Sequence, residues 1–220
     1  MFTRATPLAL LMLTVCAPAQ AESVVKLPAA AHDPAVTATR ATAVLAGGCF
    51  WGVEGVLERV RGVISVESGY HGGAKETAVY EITNNGRTGH AEAVRVTYDP
   101  RIVSYGTLLR VLFSVIADPT LKNRQGPDYG TQYRAAIVPL DAAQRSVATR
   151  YLAQIGKGGH FKAPIIVPVE SYKAFYRAEA YHQDFMKRNP GHGYITRWDM
   201  PKLAAFKRLY PELVAARAAP

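Results

Sequence analysis

From Thr42 onward the apolar residues switch between a period of two and a period near 3.6 every few residues, which restricts the chain to a mixed helix-and-strand fold. Thr42 to Ala46 is a short apolar run stopped by Gly47-Gly48. Phe50, Val53, Val56, Leu57 and Val60 then recur at helical spacing until Gly62. Val63 to Tyr70 predicts a strand, with His71-Gly72-Gly73 as its turn. Glu92 to Tyr98 alternates as a half-buried strand does. Ser104 can cap a helix with the stripe Leu108, Leu109, Leu112, Val115 and Ile116, ending at Asp118-Pro119.

Further along, Tyr133 to Val138 predicts a strand, and Asp141 with Gln144 forms a capping-box start for a helix to Ile155. Ile165 to Val169 predicts an edge strand, because Pro168 cannot donate to a ladder. A helix is expected from about Tyr172 to Lys187, and a short last one after Asp199, with Pro201 in its first turn. Several strand pairs lack an intervening helix. The pattern therefore favours an α+β two-layer sandwich, helices on a mixed β-sheet, in a single domain.

Ahead of this region, residues 1–21 read as a secretory signal. Arg4 supplies the basic end, Leu8 to Leu13 lies in the apolar stretch, and Ala19-Gln20-Ala21 presents small residues for cleavage. Residues 22–40, rich in Ala, Pro and Thr, read as a linker, and residues 41–215 as the folded domain. Cleavage after Ala21 would place the mature protein in the periplasm or outside the cell. It would also remove Cys16 and leave Cys49 as the one thiol, so no internal disulfide staples the fold. The apolar run at residues 7–19 is too short to span a bilayer, and no membrane insertion is expected. The net charge of +9 comes from dispersed Lys and Arg without a dense patch, so no nucleic-acid partner is expected.

Cys49 lies where a strand has ended and a helix begins, in Gly47-Gly48-Cys49-Phe50-Trp51-Gly52. Its sulfur would face the free N–H groups of the first turn, a setting that lowers a thiol pKa to roughly 3.5–7.5. Two readings of Cys49 remain open here: a buried structural thiol or a nucleophile. Gly52 and Gly55 weaken the helix and suit close approach of a ligand, while Trp51 in the first turn is hard to read as packing alone. The strand that begins at Glu92 puts this acid on the face of Val94 and Val96, where it is either ion-paired or held protonated for general-acid work. Asn123 to Tyr133 is a polar, Gly-containing loop whose Tyr hydroxyls could bind a substrate oxygen. Scattered histidines and one cysteine lack metal-ligand spacing, and no phosphate-binding glycine motif is present.

Five segments, in order, carry a resemblance: Gly48-Cys49-Phe50-Trp51-Gly52, Gly86 to Glu92, Asp118-Pro119-Thr120, Gly126 to Tyr133, and Tyr181-His182-Gln183 with Asn189-Pro190. From Ala43 to about Pro190 the chain resembles the peptide methionine sulfoxide reductases of the A type. The resemblance implies a ferredoxin-like core and attack by Cys49 on the sulfur of a methionine S-sulfoxide. It further implies that Glu92 protonates the sulfoxide oxygen with help from Tyr80 and Tyr133. Phe50 and Trp51 would hold the substrate methyl group, and Asp128 would stand in the polar wall. Cys49 would become a sulfenic acid.

Many relatives carry recycling cysteines near the C-terminus, but Gly191 to Trp198 contains none, as in a one-cysteine subclass. An external thiol is then expected to reduce Cys49: a thioredoxin-like protein, a glutaredoxin or a small thiol, with no bound cofactor. Oxidised proteins or peptides are the expected partners, and a monomer the expected state. Two rival readings are a Cys-His hydrolase pairing Cys49 with His71, His90 or His182, and an exported module that binds methionine sulfoxide without turnover.

Overall fold

A computed structural model describes residues 24–217 and residue 219; the signal-like segment, its cleavage point and Cys16 lie outside the described residues. The order of elements is β1 (Ala41–Gly47), α1 (Phe50–Leu57), β2 (Val63–His71), α2 (Tyr80–Thr83), β3 (Ala91–Tyr98) and α3 (Tyr105–Val111). A two-stranded ribbon follows, β4 (Arg124–Gln125) with β5 (Asp128–Tyr129), then β6 (Ala135–Val138), α4 (Ala142–Lys157), β7 (Phe175–Arg177), α5 (Phe185–Arg188) and α6 (Met200–Leu209). The main sheet runs β6-β1-β3-β2-β7. Its first four strands, joined through α1 and α3, have the connectivity of a ferredoxin-like βαββαβ core. All four ladders are antiparallel, and an isolated bridge between Ile137 and Val169 adds a parallel contact.

Strand alternation sorts the core. Leu45, Val66, Val94, Val96 and Ile137 face the helices, and Val44, Ala46, Ala91, Ala93 and Val138 form a smaller cluster with Phe175. The predicted caps form: Ser104 accepts from the Thr107 N–H and Asp141 from the Gln144 N–H. α3 continues as a π-turn over Leu112–Ile116, so the apolar stripe read from the sequence runs to its expected end.

α1 is buried along almost its whole surface, not on one face, with only Trp51 partly exposed. The sheet covers one side, and α5, α6 and a π-turn at Ile195–Asp199 cover the other. Here Gly52 and Gly55 have a different use from the one the sequence suggested. A Cβ on Gly52 would stand 2.1 Å from Asp199 Oδ1, and one on Gly55 would stand 2.3 Å from Met186 Sδ. The clearance is filled by the protein's own C-terminal half.

Two expected elements differ. Ile165 to Val169 is no strand: Ile137 N–H donates to Pro168 O and Glu170 N–H to Ile137 O, and the pairing stops at that bridge. Pro164 and Pro168 remove the donors a longer ladder requires. The helix expected from Tyr172 to Lys187 is replaced by β7, a series of turns and the short α5. The free edge of β2 captures Phe175–Arg177. The Gln183 amide then binds Ser68 N and O and Ala178 O, each at 3.0 Å, and Asp184 takes a left-handed conformation at φ 53°.

The segment read as a linker has no helix or strand over residues 24–40, yet it is anchored to the domain. Leu27 is buried; its N–H donates to Tyr210 Oη at 3.0 Å and its carbonyl accepts from Arg110 Nε at 2.8 Å. Asp33 accepts from Ser104 Oγ and from Gly106 N. Leu27→Ala is therefore expected to destabilise the protein by about 2–5 kcal/mol in urea unfolding, as truncation of a core residue does. An unchanged midpoint would show the segment to be a free tether.

Candidate functional site

β1 delivers the chain to the site at Gly47. Gly48 turns it at φ +91° and lies against the Gln125 side chain, which leaves Cys49 as the N-cap of α1. The thiol is 8% exposed and faces the Trp51 backbone N–H. Cys49 thus stands where the sequence places it, but its acidity is the reverse of the expectation. Burial pushes its pKa well above that of an ordinary thiol, and Glu92, Asp199 and Asp128 push it the same way. The single N–H of Trp51 pulls in the other direction and loses to them. The direction of this shift favours the thiol over the thiolate in the resting protein.

Glu92 projects from β3 on the helix side of the sheet, the face shared with Val94 and Val96. Its Oε2 accepts from the Phe50 N–H at 3.0 Å, which ties the acid to the first turn of α1. Burial pushes this carboxyl up to about 8; the Phe50 N–H opposes the shift and Asp128 adds to it. No cation among the described residues is a named cause of the shift. Of the two readings of this acid, the structure supports the protonated one.

Tyr80 opens α2, with its ring 4.6 Å from that of His182. Burial, with Glu92 and Cys49 next in weight, pushes its hydroxyl up to about 12. Tyr133 ends a 3-10 turn before β6 and donates to Asn84 Oδ1 at 3.2 Å. Burial raises its pKa as well, followed by Glu92, Tyr80, Asp128 and Cys49. Cys49 belongs to the main core cluster, Tyr80 and Tyr133 pack against that cluster, and Glu92 is tied to it through the Phe50 N–H.

The aromatic wall is built by long-range contacts. Phe50 packs at 5.9 Å from Tyr70 and 4.9 Å from His182. Trp51 stacks on Phe185 at 3.7 Å and 8°, with Tyr194 and His192 edge-on at 5.8 and 5.9 Å. Trp51 Nε1 donates to His182 Nδ1 at 3.0 Å. Asp128, on β5, accepts from the Tyr194 hydroxyl; burial raises its pKa, while Tyr194 and Lys202 lower it.

Tyr194 and Asp199 belong to this cluster and were not singled out from the sequence as site residues, while His182, read there only as part of a motif and as a candidate base, instead holds the Trp51 indole. Asp199 is fully buried and lies 3.7 Å from Lys202 Nζ. The signal for Tyr194 and His192 was an aromatic-bearing stretch, Gly191 to Trp198, read only for its missing cysteines.

The Cys-His arrangement is not supported. His71 Nδ1 lies 2.9 Å from Ala174 O, and His90 Nε2 lies 2.9 Å from Ala74 O while its Nδ1 accepts from Gly73 N, so both hold loops. His182 has its Nδ1 occupied by the Trp51 indole. Among the described residues, no group of three or more His, Cys, Asp or Glu side chains could hold a metal ion.

Against known proteins, the model of the family described as peptide methionine sulfoxide reductase matches residues 41–212. The chain is 52% identical over 176 residues to peptide methionine sulfoxide reductase MsrA 2 of Mesorhizobium japonicum, covering 80% of this chain and 90% of that protein. It is 46% identical over 173 residues to MsrA of Deinococcus radiodurans, covering 79% and 84%. Among solved structures, reduced Mxr1 from Saccharomyces cerevisiae aligns with a TM-score of 0.62 at 31% identity, covering 73% of this chain and 92% of that one. Methionine sulfoxide reductase A of Corynebacterium diphtheriae aligns with a TM-score of 0.57 at 32% identity, covering 71% and 78%. The family model over residues 41–212 and relatives of this identity and coverage, on this fold, make the chain a member of the peptide methionine sulfoxide reductase family.

Proposed function

We propose that this protein reduces the S-epimer of methionine sulfoxide, protein-bound and free, and so repairs oxidised proteins. The observation that carries the reading is geometric: Cys49 caps α1 and is buried, and buried Glu92 is tied by a 3.0 Å hydrogen bond to the N–H of the next residue, Phe50, with its pKa pushed up by burial. A sulfoxide is a strong dipole, negative on oxygen. Glu92, Tyr80 and Tyr133 supply O–H groups to that oxygen, while Phe50 and Trp51 hold the methyl group and Asp128 with Tyr194 forms the polar wall. Hydrogen bonding to the oxygen draws electrons from the sulfur, which the Cys49 sulfur attacks.

The substrate S–O bond breaks, the oxygen passes to Cys49, and a thioether leaves with two electrons gained. One thiol and one sulfoxide thus become one sulfenic acid and one thioether, so the atoms balance. One external thiol then condenses with the sulfenic acid, releasing water and forming a mixed disulfide; a second thiol frees Cys49 and leaves as a disulfide. Cys49 is the free cysteine of the described residues, which supports an external reductant: a thioredoxin-like protein, a glutaredoxin or a small thiol. With residues 1–21 as a secretory signal, the enzyme acts after export, in the periplasm or outside the cell, as a monomer. A binding module without turnover is disfavoured because relatives matching 79–80% of the chain carry the reductase name.

Single-turnover reduction of the two sulfoxide epimers, without added thiol, tests this reading. One equivalent of methionine per Cys49 is expected from the S-epimer alone, with a sulfenic acid on Cys49; methionine from neither epimer would end it. Cys49→Ser should abolish turnover and leave sulfoxide binding largely intact.

Glu92→Gln should slow the chemical step by roughly 10²–10⁴, the range for a general acid. Because Glu92 must donate a proton and its pKa is raised to about 8, the wild-type rate should hold through neutrality and fall as pH rises past that value. A wild-type rate in Glu92→Gln would move the donor role to Tyr80 or Tyr133.

The raised thiol is checked by alkylation with iodoacetamide. Cys49 should react more slowly than free cysteine at pH 7 and speed up only above the free-cysteine value of about 8.5. Faster reaction than free cysteine at neutral pH would contradict the neutral resting site.

A further inference from the structure

Glu179 lies in the turn between β7 and α5, outside the group of residues that line the reacting space. We infer that Glu179 is a positioning residue that fixes two walls of the pocket at once, the phenol of Tyr80 and the indole of Trp51. The inference rests on the site reading proposed above. Its Oε1 accepts from the Tyr80 N–H at 2.9 Å. Its Oε2 accepts from the Tyr70 hydroxyl at 2.9 Å and stands 4.0 Å from His182 Nε2.

The contact to Tyr80 matters because α2 is four residues long and cannot hold itself as an isolated helix. A carboxylate on its first N–H fixes where the helix starts and hence where the Tyr80 side chain leaves the backbone. The path to Trp51 runs through His182, which is 1% exposed. His182 Nδ1 accepts the Trp51 indole N–H, so the neutral ring carries its proton on Nε2. That nitrogen has no hydrogen-bond partner and faces the Glu179 carboxylate. The negative charge favours the Nε2–H tautomer, and only this tautomer leaves Nδ1 free to hold the indole. Burial works against ionisation of Glu179, but the Tyr80 N–H and Tyr70 hydroxyl outweigh it and keep the carboxyl below its usual range. Phe50 and Trp51 from α1, Tyr80 from α2, Tyr181 and Glu179 all face His182, and Glu179 is the one charged near neutrality.

The test uses the full chain with Glu179→Gln, which keeps size and an acceptor but loses the charge, and Glu179→Ala, which loses both. Single-turnover reduction of a blocked methionine sulfoxide is read beside the indole ¹⁵N–¹H resonance of Trp51. The protein has two tryptophans, and Trp198→Phe assigns the signals. The expected result is a chemical step about tenfold to a hundredfold slower, as for misplaced reacting groups, with weaker substrate binding and Glu179→Ala the worse of the two. The Trp51 resonance should move, and its pH-dependent step should shift to lower pH in Glu179→Gln, because burial alone then sets the His182 pKa.

An unmoved resonance with wild-type turnover in Glu179→Gln overturns the inference, whether or not Glu179→Ala folds. So does a variant that is less stable to heat but keeps the wild-type rate and resonance in its folded fraction, since that is a purely structural role. Failure of the site reading looks different: Tyr80→Phe and Trp51→Phe would then turn over normally, whatever Glu179 does to the indole signal.

Discussion

The hydrogen bond from the Phe50 N–H to Glu92 joins the first turn of α1 to β3, and the rest of the site is arranged around it. A buried acid needs a partner for its oxygens, and a helix start needs acceptors for its unpaired N–H groups. One contact meets both needs. It fixes the start of α1 to the sheet and so determines where the N-cap residue, Cys49, presents its sulfur. Burial of α1 on nearly all sides then keeps water from competing for either group. Gly52, pressed against Asp199, lets the C-terminal half close over the helix.

Burial also decides the charge state. An ionised thiol and an ionised carboxyl side by side in this space would repel and would both lack hydration. Keeping each protonated avoids that penalty and leaves a resting site with donors but no exposed nucleophile. Such a thiol is shielded from indiscriminate oxidants, since reactivity follows thiolate character. On the proposed reading, a sulfoxide entering the pocket brings a negative oxygen to the donors and an electron-poor sulfur to the thiol. The substrate thus supplies the polarity that the resting site lacks.

The parts of this molecule legible in the sequence are those whose cause is local. Helix spacing from Phe50 to Val60, the Ser104 and Asp141 caps, and the alternation from Glu92 to Tyr98 all produce the expected elements. The stretch from Ile165 to Lys187 misled because its conformation is set from far away. β2 offers a free edge to Phe175–Arg177, and the Gln183 amide replaces a peptide unit beside Ser68, 115 residues distant in sequence. The sign of the Cys49 shift was missed for the same reason. A helix start is visible in the sequence, whereas the burial and the approach of Asp199 and Asp128 exist only once the chain has closed. Residue types around the thiol were legible; their mutual electrostatics were not.

Closure has a consequence for recycling. The strap from Glu179 to Phe185 lays His182 and Phe185 against Trp51, and Tyr194 follows from the next segment, so the thiol keeps 8% of its surface. The segment from Gly191 to Trp198 carries no cysteine, and its Ile195 is buried. In the proposed cycle, the reductant must reach the sulfenic acid through the opening that admits a methionine side chain. A small thiol meets that condition, and so does a protein whose cysteine stands on a projecting rim. A thiol recessed in its own cleft does not, since two concave surfaces cannot bring their sulfurs within bonding distance. On the proposed reading, the aromatic wall that would hold the substrate methyl group therefore also selects the electron donor.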